Sequence, residues 1–240
     1  LDACYGNHQA SFLEVGEIRV IKGPSHAGCA GVEFDVIGKG GHGSRPDKCI
    51  NPLTATANIV TALTTAWVNQ LDVSKTVTFG LGSINGGSAS NVIPDRCNVK
   101  GTLRFFDDKA GEDALEVLKE VVNTTARAHK CYVEFSDYTR IVAYPTINDP
   151  DLAEKVITSL NDIYPTSFLD GNPTYGSESF FGYSKLCPSV YTKFGVRDEK
   201  NGISAGSHTP EFDINPEGIK YAVGLQVKFA LDFLKGAFDD

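Results

Sequence analysis

The stretch Val32-Glu-Phe-Asp-Val-Ile37 alternates apolar and polar residues, as a half-buried β-strand does. A glycine-rich loop follows it, and Asn51-Pro52 then offers a helix start, because the Asn side chain can accept a free backbone N–H and proline is favoured at the first helical position. Apolar residues recur after it at helical spacing, at Leu53, Ala57 and Val60. The stretch therefore predicts a strand joined to a helix.

Further elements extend this unit in both directions. A second helix is predicted near Glu112 to His129, and further strands are predicted at Thr76–Gly80, Asn98–Phe105 and Cys131–Phe135. Residues from about Gly31 to about Val142 thus follow the order strand, helix, strand, strand, helix, strand, which is the ferredoxin-like order. The flanks predict mixed α/β pieces of another domain, with helices starting at Asp149-Pro150 and Asn215-Pro216. We expect a domain of residues 31–142 inserted between segments 1–30 and 143–240 of a second domain.

The bulk composition is that of a soluble globular protein, with 240 residues, 41% apolar and 22% charged. No apolar run is long enough to cross a membrane, and Leu1-Asp2-Ala3-Cys4 lacks the features of a signal peptide. The formal net charge of −8 argues against a nucleic-acid partner, whose phosphates need a basic surface. Six cysteines without a Cys-x-x-Cys motif indicate reduced thiols, so we expect a cytoplasmic protein.

Two histidines stand in segments that suit a metal ligand. His8 lies at the predicted end of a short strand, and His208 lies in the turn-rich segment Gly206–Pro210 before a helix. Imidazole binds first-row divalent metals well, but residues so far apart give no local metal spacing. Taken alone, each histidine can equally be structural. His26 and His129 are expected to be structural, the latter at the end of a predicted helix, where a cation is favoured.

The segment Gly38-Lys-Gly-Gly-His-Gly43 formally matches the dinucleotide pattern G-x-G-x-x-G after a strand. Pro46 interrupts the place where the helix should begin, and no Asp or Glu falls at the required offset of about 20 residues. We therefore exclude a dinucleotide cofactor. Two interpretations stay open: the glycines let a loop carry His42 close to a ligand, or they form an ordinary exposed turn.

The joint order of several motifs resembles the metal-dependent amidohydrolases and metallopeptidases that include aminoacylases, hippurate hydrolases and glutamate carboxypeptidases. These motifs are Asp2–His8, Gly16–Gly23, Gly38–Pro46, Asn91–Pro94, Gly101–Arg104 and Ser207–Asp213. The resemblance covers nearly the whole chain and corresponds to the C-terminal half of such an enzyme. It implies an α/β fold in which a ferredoxin-like βαββαβ lid, or dimerisation, domain is inserted into part of a zinc-peptidase-like catalytic domain.

The same resemblance implies roles for the histidines. His8 and His208 would be ligands of a dinuclear site that holds two divalent ions, with Zn, Mn, Co and Ni as candidates. His42, on the lid, would stabilise the oxyanion of the reaction, often across a dimer interface.

The resemblance also implies a substrate site. Asn91, Arg104 and Ser177 would bind the substrate, and a guanidinium suits its carboxylate. Glu178 would support the metal ligands without binding an ion, although Ser179 stands where the family usually has Asp.

The implied reaction is hydrolysis of the amide bond of N-acyl or N-aroyl amino acids or small peptides, by a homodimer formed through the lid. The family's earlier Cys-x-His or His-x-Asp motif and its Glu-Glu pair, which supplies the general base, do not occur in this sequence. The expected partner is thus the missing N-terminal catalytic half, from the same precursor or another chain.

Two alternatives stay open. One is a non-catalytic dimerising or ligand-binding module on the same scaffold. The other is a serine hydrolase, a weaker match because Gly86-Gly-Ser-Ala-Ser90 misses G-x-S-x-G at its last position.

Overall fold

The computed structural model describes residues 1–238, and the chain divides into two units. The inserted unit comprises residues 27–145 and 175–177, and the outer unit comprises residues 1–26, 146–174 and the chain from residue 178 onward. The predicted boundaries at residues 30 and 142 stay predictions. Among the helices of residues 1–238, none is both long and apolar enough to cross a membrane.

The regular elements alternate between strands and helices along the chain. The strands are β1 Cys4–Glu14, β2 Ile18–Arg19, β3 Gly23–His26, β4 Gly28–Ile37, β5 Gly41–His42, β6 Val77–Gly86, β7 Val92–Ile93, β8 Arg96–Phe105, β9 Tyr132–Phe135, β10 Ile141–Ala143, β11 Thr146–Asn148, β12 Phe168–Leu169 and β13 Ser189–Arg197. The α-helices are α1 Pro52–Gln70, α2 Asp108–Ala128, α3 Pro150–Ile163, α4 Phe181–Ser184 and α5 Glu217–Leu234. Short 3₁₀ turns lie at Pro46–Lys48 and Glu199–Asn201.

The inserted unit contains an antiparallel sheet with the order β9-β4-β8-β6, and β10 also pairs with β4. With α1 between β4 and β6 and α2 between β8 and β9, this is the predicted ferredoxin-like arrangement. Apolar side chains on one face of the sheet, the largest of which are Phe34, Leu103 and Phe105, pack against both helices, which contribute Ile59 and Leu118 to the same core. The alternate positions of the same strands, among them Arg104, lie on the opposite face.

The predicted helix starts at Asn51-Pro52 and Asp149-Pro150 are confirmed, because side-chain caps satisfy the first free backbone groups. Asn51 accepts a hydrogen bond from the N–H of Leu53 at 2.9 Å, and Asp149 accepts one from Leu152 at 2.8 Å. The second helix of the inserted unit begins at Asp108, earlier than expected, because Asp107 caps it. The start predicted at Asn215-Pro216 is wrong by one residue: α5 begins at Glu217, because Pro216 takes the N-cap position, and Asn215 Oδ1 accepts from the Glu217 N–H at 2.9 Å.

The outer unit contains a mixed four-stranded sheet with the order β1-β13-β2-β12. β1 and β13 run parallel, with His8 opposite Lys193, and a separate pair joins β3 to β11. Helices α3 and α5 pack on a core that includes Ile18, Leu160, Leu225 and Phe229. His8 lies in the middle of an eleven-residue strand. The expectation that it ends a short strand is wrong, because pairing with β13 extends β1 past it.

Candidate functional site

His8 presents a free ring nitrogen on β1. The side chain is exposed, and its Nδ1 lies 2.6 Å from the carbonyl oxygen of Gln9. Because a carbonyl can only accept, Nδ1 must carry the proton of the neutral ring, and Nε2 keeps its lone pair. A histidine held in this way has the tautomer that metal-ligating histidines have.

The loop that carries His208 is attached to the same strand. The backbone N–H of Ser207 donates to Ser11 Oγ at 3.1 Å, and the Gln9 amide donates to Ser207 Oγ at 3.4 Å. His208 itself is exposed and has a φ of 68°, in the left-handed region that few residues other than glycine adopt. The structure therefore fixes the His208 loop to β1 one to three residues beyond His8.

An aromatic cluster lies beside His8 in the outer unit. The ring of Tyr191 on β13 meets His8 edge-on at 6.4 Å between centroids and His26 at 5.3 Å. Its other neighbour is Phe180, which stacks on it at 4.6 Å. Buried Asn148 holds this strand position, accepting from the N–H of Tyr191 at 2.8 Å and donating to its carbonyl at 3.1 Å.

Glu178 is the acidic member of this cluster. Burial raises the pKa of its carboxyl, but hydrogen bonds from the Ser179 N–H and the Tyr191 hydroxyl outweigh burial, so its pKa lies below the usual value. The pKa of Tyr191 is raised, by burial and then by its bond to this carboxylate. Glu178 is thus an anion that interacts electrostatically with His8, and its supporting role at a metal centre stays a prediction.

His26 and Lys193 are functional candidates that the sequence did not indicate as such. His26 is only 4% exposed, and burial, together with the positive charge of Lys193, lowers the pKa of its imidazole to about 4. Burial also lowers the pKa of Lys193. The cluster therefore contains a neutral histidine, a carboxylate and a partly buried ammonium. Lys193 lies opposite His8 because of the register between β1 and β13. No local sequence pattern reveals this register.

His42 and Asn91 come together in the inserted unit. β5 pairs with β7 so that His42 lies opposite Val92, and the Gly43 N–H donates to the carbonyl of Asn91 at 2.8 Å. Both side chains are exposed. The structure thus places the two predicted lid residues at the two-stranded ladder formed by β5 and β7, called the β5–β7 ladder below.

Arg104 lies elsewhere in the inserted unit. It is partly buried near the end of β8, where its guanidinium donates to Thr102 Oγ1 at 2.6 Å and to the Leu103 carbonyl at 3.0 Å. The β5–β7 ladder lies beyond the other end of β8, past Arg96. Eight strand residues span about 25 Å. Within one copy, Arg104 therefore cannot reach the ligand that His42 and Asn91 would contact.

Ser177 is exposed and belongs to the short 175–177 segment of the inserted unit, immediately before Glu178 in sequence. Tyr175, two residues earlier in the same segment, contacts Phe106 edge-on, with 5.1 Å between the ring centroids. A role for Ser177 in substrate binding stays a prediction.

His8 and His208 fit part of a metal centre. Within residues 1–238, no group of three or more His, Cys, Asp and Glu side chains lies close enough together to hold an ion. The exposed Nε2 lone pair of His8 and the attached His208 loop nevertheless fit the two ligands expected from this part of the chain. The remaining ligands of a dinuclear site would have to come from outside it.

The chain is similar to known proteins over nearly all of its length. Residues 25–130 match the peptidase dimerisation domain of the M20 family. The chain is 30% identical over 239 residues to IAA-amino acid hydrolase ILR1-like 2 of Arabidopsis thaliana, covering 98% of this chain and 54% of that protein. It is 27% identical to thermostable carboxypeptidase 2 of Saccharolobus solfataricus, covering 97% of this chain and 58% of that protein.

A solved structure shows the same fold. The Bacillus subtilis YXEP protein, described as a dinuclear metal binding peptidase from the M20 family, superposes with a TM-score of 0.78 at 21% identity. The match covers 98% of this chain and 58% of that one. The whole chain is thus similar to members of the M20 family of metal-dependent amidohydrolases and peptidases, and residues 25–130 match the dimerisation domain of that family. It spans about half the length of the curated relatives it matches.

Proposed function

We propose that this chain is the lid and C-terminal catalytic part of an enzyme that hydrolyses the amide bond of N-acyl or N-aroyl amino acids or small peptides. The observation that carries the proposal is the attachment of the His208 loop to β1 beside His8, whose Nε2 is free to bind a metal. The relatives named as an amino acid hydrolase and a carboxypeptidase support this substrate class, which includes hippurate-like aroyl conjugates.

In this mechanism His8 and His208 would hold two divalent ions together with ligands from the missing half. When bound, such ions acidify a water molecule and polarise the substrate carbonyl. A carboxylate of the missing half would take the proton of that water. His42 would donate a hydrogen bond to the oxyanion, a contribution of roughly 2.7–4 kcal/mol in comparable sites. Asn91 and Arg104 would bind the free carboxylate of the substrate.

The separation of Arg104 from the β5–β7 ladder supports a homodimer. If one substrate touches Arg104 of one copy, His42 and Asn91 must come from the other copy, because about 25 Å separates them within a chain. The dimerisation domain matched by residues 25–130 is consistent with this assembly. Each active site would then be incomplete without a second copy.

The surface of α5 supports a further partner, the missing half of the catalytic domain. Four apolar side chains spaced four residues apart are each 45% to 53% exposed, and they are Ile219, Val223, Val227 and Leu231. Exposed apolar stripes of this kind mark interaction surfaces. β1 also lies at the edge of its sheet, where another strand can pair. We assign this surface to the segment that the longer relatives contain and this chain lacks.

The location we propose is the cytoplasm. All six cysteines, which lie within the described residues, are free. Free thiols are typical of a reducing compartment.

Metal content and turnover of alanine variants test the proposal in the assembled enzyme. His8→Ala and His208→Ala should each lose bound metal and activity. His42→Ala should keep the metal and lose turnover by on the order of 10²–10³-fold, as removal of an oxyanion donor does. Full activity of His42→Ala, or full metal content of both ligand variants, would overturn these roles.

One observation favours a second candidate, a ligand-binding module without catalysis. No group of three metal-binding side chains is present within residues 1–238. Stoichiometric binding of an N-acyl amino acid without release of product, by the protein from its natural source, would favour this candidate.

A further inference from the structure

Ser44 contacts the ring of His42 through two polar groups. Its backbone N–H lies 3.2 Å from His42 Nδ1, and its hydroxyl oxygen lies 2.8 Å from the same nitrogen. His42 is the last residue of β5 and Ser44 lies on the loop that follows, and both residues are exposed. The side chain of Ser44 is thus the nearer of two hydrogen-bond partners of one ring nitrogen.

These contacts determine where the imidazole proton lies. A backbone N–H can only donate, so His42 Nδ1 must accept and cannot carry a proton. The Ser44 hydroxyl must then also donate to it, because that nitrogen has no hydrogen to offer. The neutral ring is therefore protonated on Nε2, on the far side of the imidazole from Ser44.

The surrounding loop keeps this arrangement in place. The Gly40 N–H donates to Asp95 Oδ1 at 2.7 Å, and the Arg45 N–H donates to the His42 carbonyl at 2.9 Å. The Arg45 guanidinium binds both carboxylate oxygens of Asp47, at 2.9 and 2.7 Å. Together with the pairing of β5 and β7, these bonds hold Ser44 within reach of the ring.

We propose that Ser44 is a positioning residue that holds His42 in the tautomer protonated on Nε2. An oxyanion needs a donor, and the other neutral tautomer would present a lone pair at Nε2 to a developing negative charge. The benefit to catalysis rests on the proposed function. The tautomer itself does not, because it follows from contacts within the inserted unit.

NMR of the 240-residue chain tests the tautomer directly. Long-range ¹H–¹⁵N correlation spectra, recorded above the titration range of imidazole, show which ring nitrogen is protonated, and His42→Gln assigns the His42 signals. We expect Nε2–H in the native chain. Ser44→Ala should shift the tautomer ratio towards Nδ1–H by roughly twofold to tenfold, the effect of losing one net hydrogen bond. Ser44→Thr, which keeps the hydroxyl, should restore the native ratio.

Ser88→Ala is the matched control, since Ser88 is an exposed serine of the same unit on the loop before β7. It should leave the ratio unchanged. A native His42 protonated on Nδ1, or an unchanged ratio in Ser44→Ala, would overturn the proposal.

Kinetics of the assembled enzyme separate this proposal from the proposed function. Ser44→Ala should lower kcat with little change in KM, and Ser44→Thr should recover it. If the tautomer shifts while kcat stays constant, the role of Ser44 stands and the oxyanion role of His42 is wrong. If kcat falls without a shift of the tautomer, Ser44 acts in another way and this proposal is wrong.

Discussion

His42 and Arg104 lie towards opposite ends of the inserted unit, separated by about 25 Å or more along strand β8. Both residues are candidates for contact with one small substrate. The distance exceeds the size of an N-acyl amino acid, so the two contacts cannot come from one copy. The separation makes the dimer part of the proposed mechanism.

Mixed dimers test this composite site. His42→Ala and Arg104→Ala should each be nearly inactive as homodimers. When the two variants are mixed under conditions that exchange subunits, half of the dimers are mixed and each contains one intact site, so about a quarter of native activity should return. Amide hydrolysis before and after mixing gives the measurement.

The matched control for mixing combines His42→Ala with Asn91→Ala. These residues lie at the same β5–β7 ladder of one copy, so every site of the mixed dimer lacks one of them. No activity should return. Recovery in this control, or none in the first mixture, would contradict the composite site.

The alternation at Val32–Ile37 predicted the strand correctly because one face of that sheet is buried and the other is open. The same reasoning could not find β13, which is buried on most positions and lacks alternation. The short strands β2 and β12 contain two residues each, too few for a pattern. Their places in the sheet depend on partners far away in sequence.

The residues of the candidate site also divide into those that sequence motifs predict and those that only the folded structure brings together. His8, His42 and His208 were predicted from motifs because they lie in distinctive loops and strands. The surroundings of Tyr191, His26 and Lys193 result from the parallel pairing of β1 with β13 and from burial, which short motifs do not encode. The proton on His42 follows from two distances, which no sequence supplies.

A close backbone approach at Gly195 predicts a stability effect. A Cβ at this position would lie 1.8 Å from the Glu14 carbonyl oxygen, so Gly195→Ala forces β13 away from the chain beside it. We expect the free energy of unfolding to fall by roughly 1–3 kcal/mol or more, measured by urea denaturation. Gly182→Ala is the control, because nothing lies within 4 Å of its Cβ, and it should be neutral. Equal stabilities of the two variants would contradict the packing described here.

Burial of His26 predicts a pH dependence of stability. Its folded pKa of about 4 lies below the ordinary value near 6.5, so the unfolded chain binds more protons between these values. The contribution of neutral His26 to the free energy of unfolding is complete above about pH 6.5 and decreases as pH falls towards 4. His26→Gln should therefore reduce the loss of unfolding free energy between pH 7 and 4.5 by roughly 2–3 kcal/mol.

Urea denaturation at both pH values checks this prediction. His129→Gln is the control, since His129 lies partly exposed at the end of α2. It should leave the pH dependence as it is in the native chain. If the unfolding free energy of His26→Gln depends on pH as steeply as that of the native chain, His26 is not the group responsible for this pH dependence.

Lysine substitutions in the apolar stripe on α5 should have different effects in the 240-residue chain alone and in the enzyme assembled with the missing half. Val223→Lys combined with Val227→Lys should change the unfolding free energy of the 240-residue chain by less than about 0.5 kcal/mol per site, as surface substitutions do. In the assembled enzyme the same pair should weaken binding of the missing half, seen as lost co-purification or a lower melting temperature. Val68→Lys, at an exposed position on α1, should affect neither. Equal effects in both forms would argue against a partner on this surface.

Amide hydrolysis by the protein from its natural source tests the central claim most directly. A panel of N-acyl and N-aroyl amino acids is assayed for release of the free amino acid, before and after removal of metal by a chelator. We expect hydrolysis that the chelator abolishes, that divalent metal restores, and that His8→Ala and His208→Ala lack. Hydrolysis that resists the chelator and persists in both variants would contradict it.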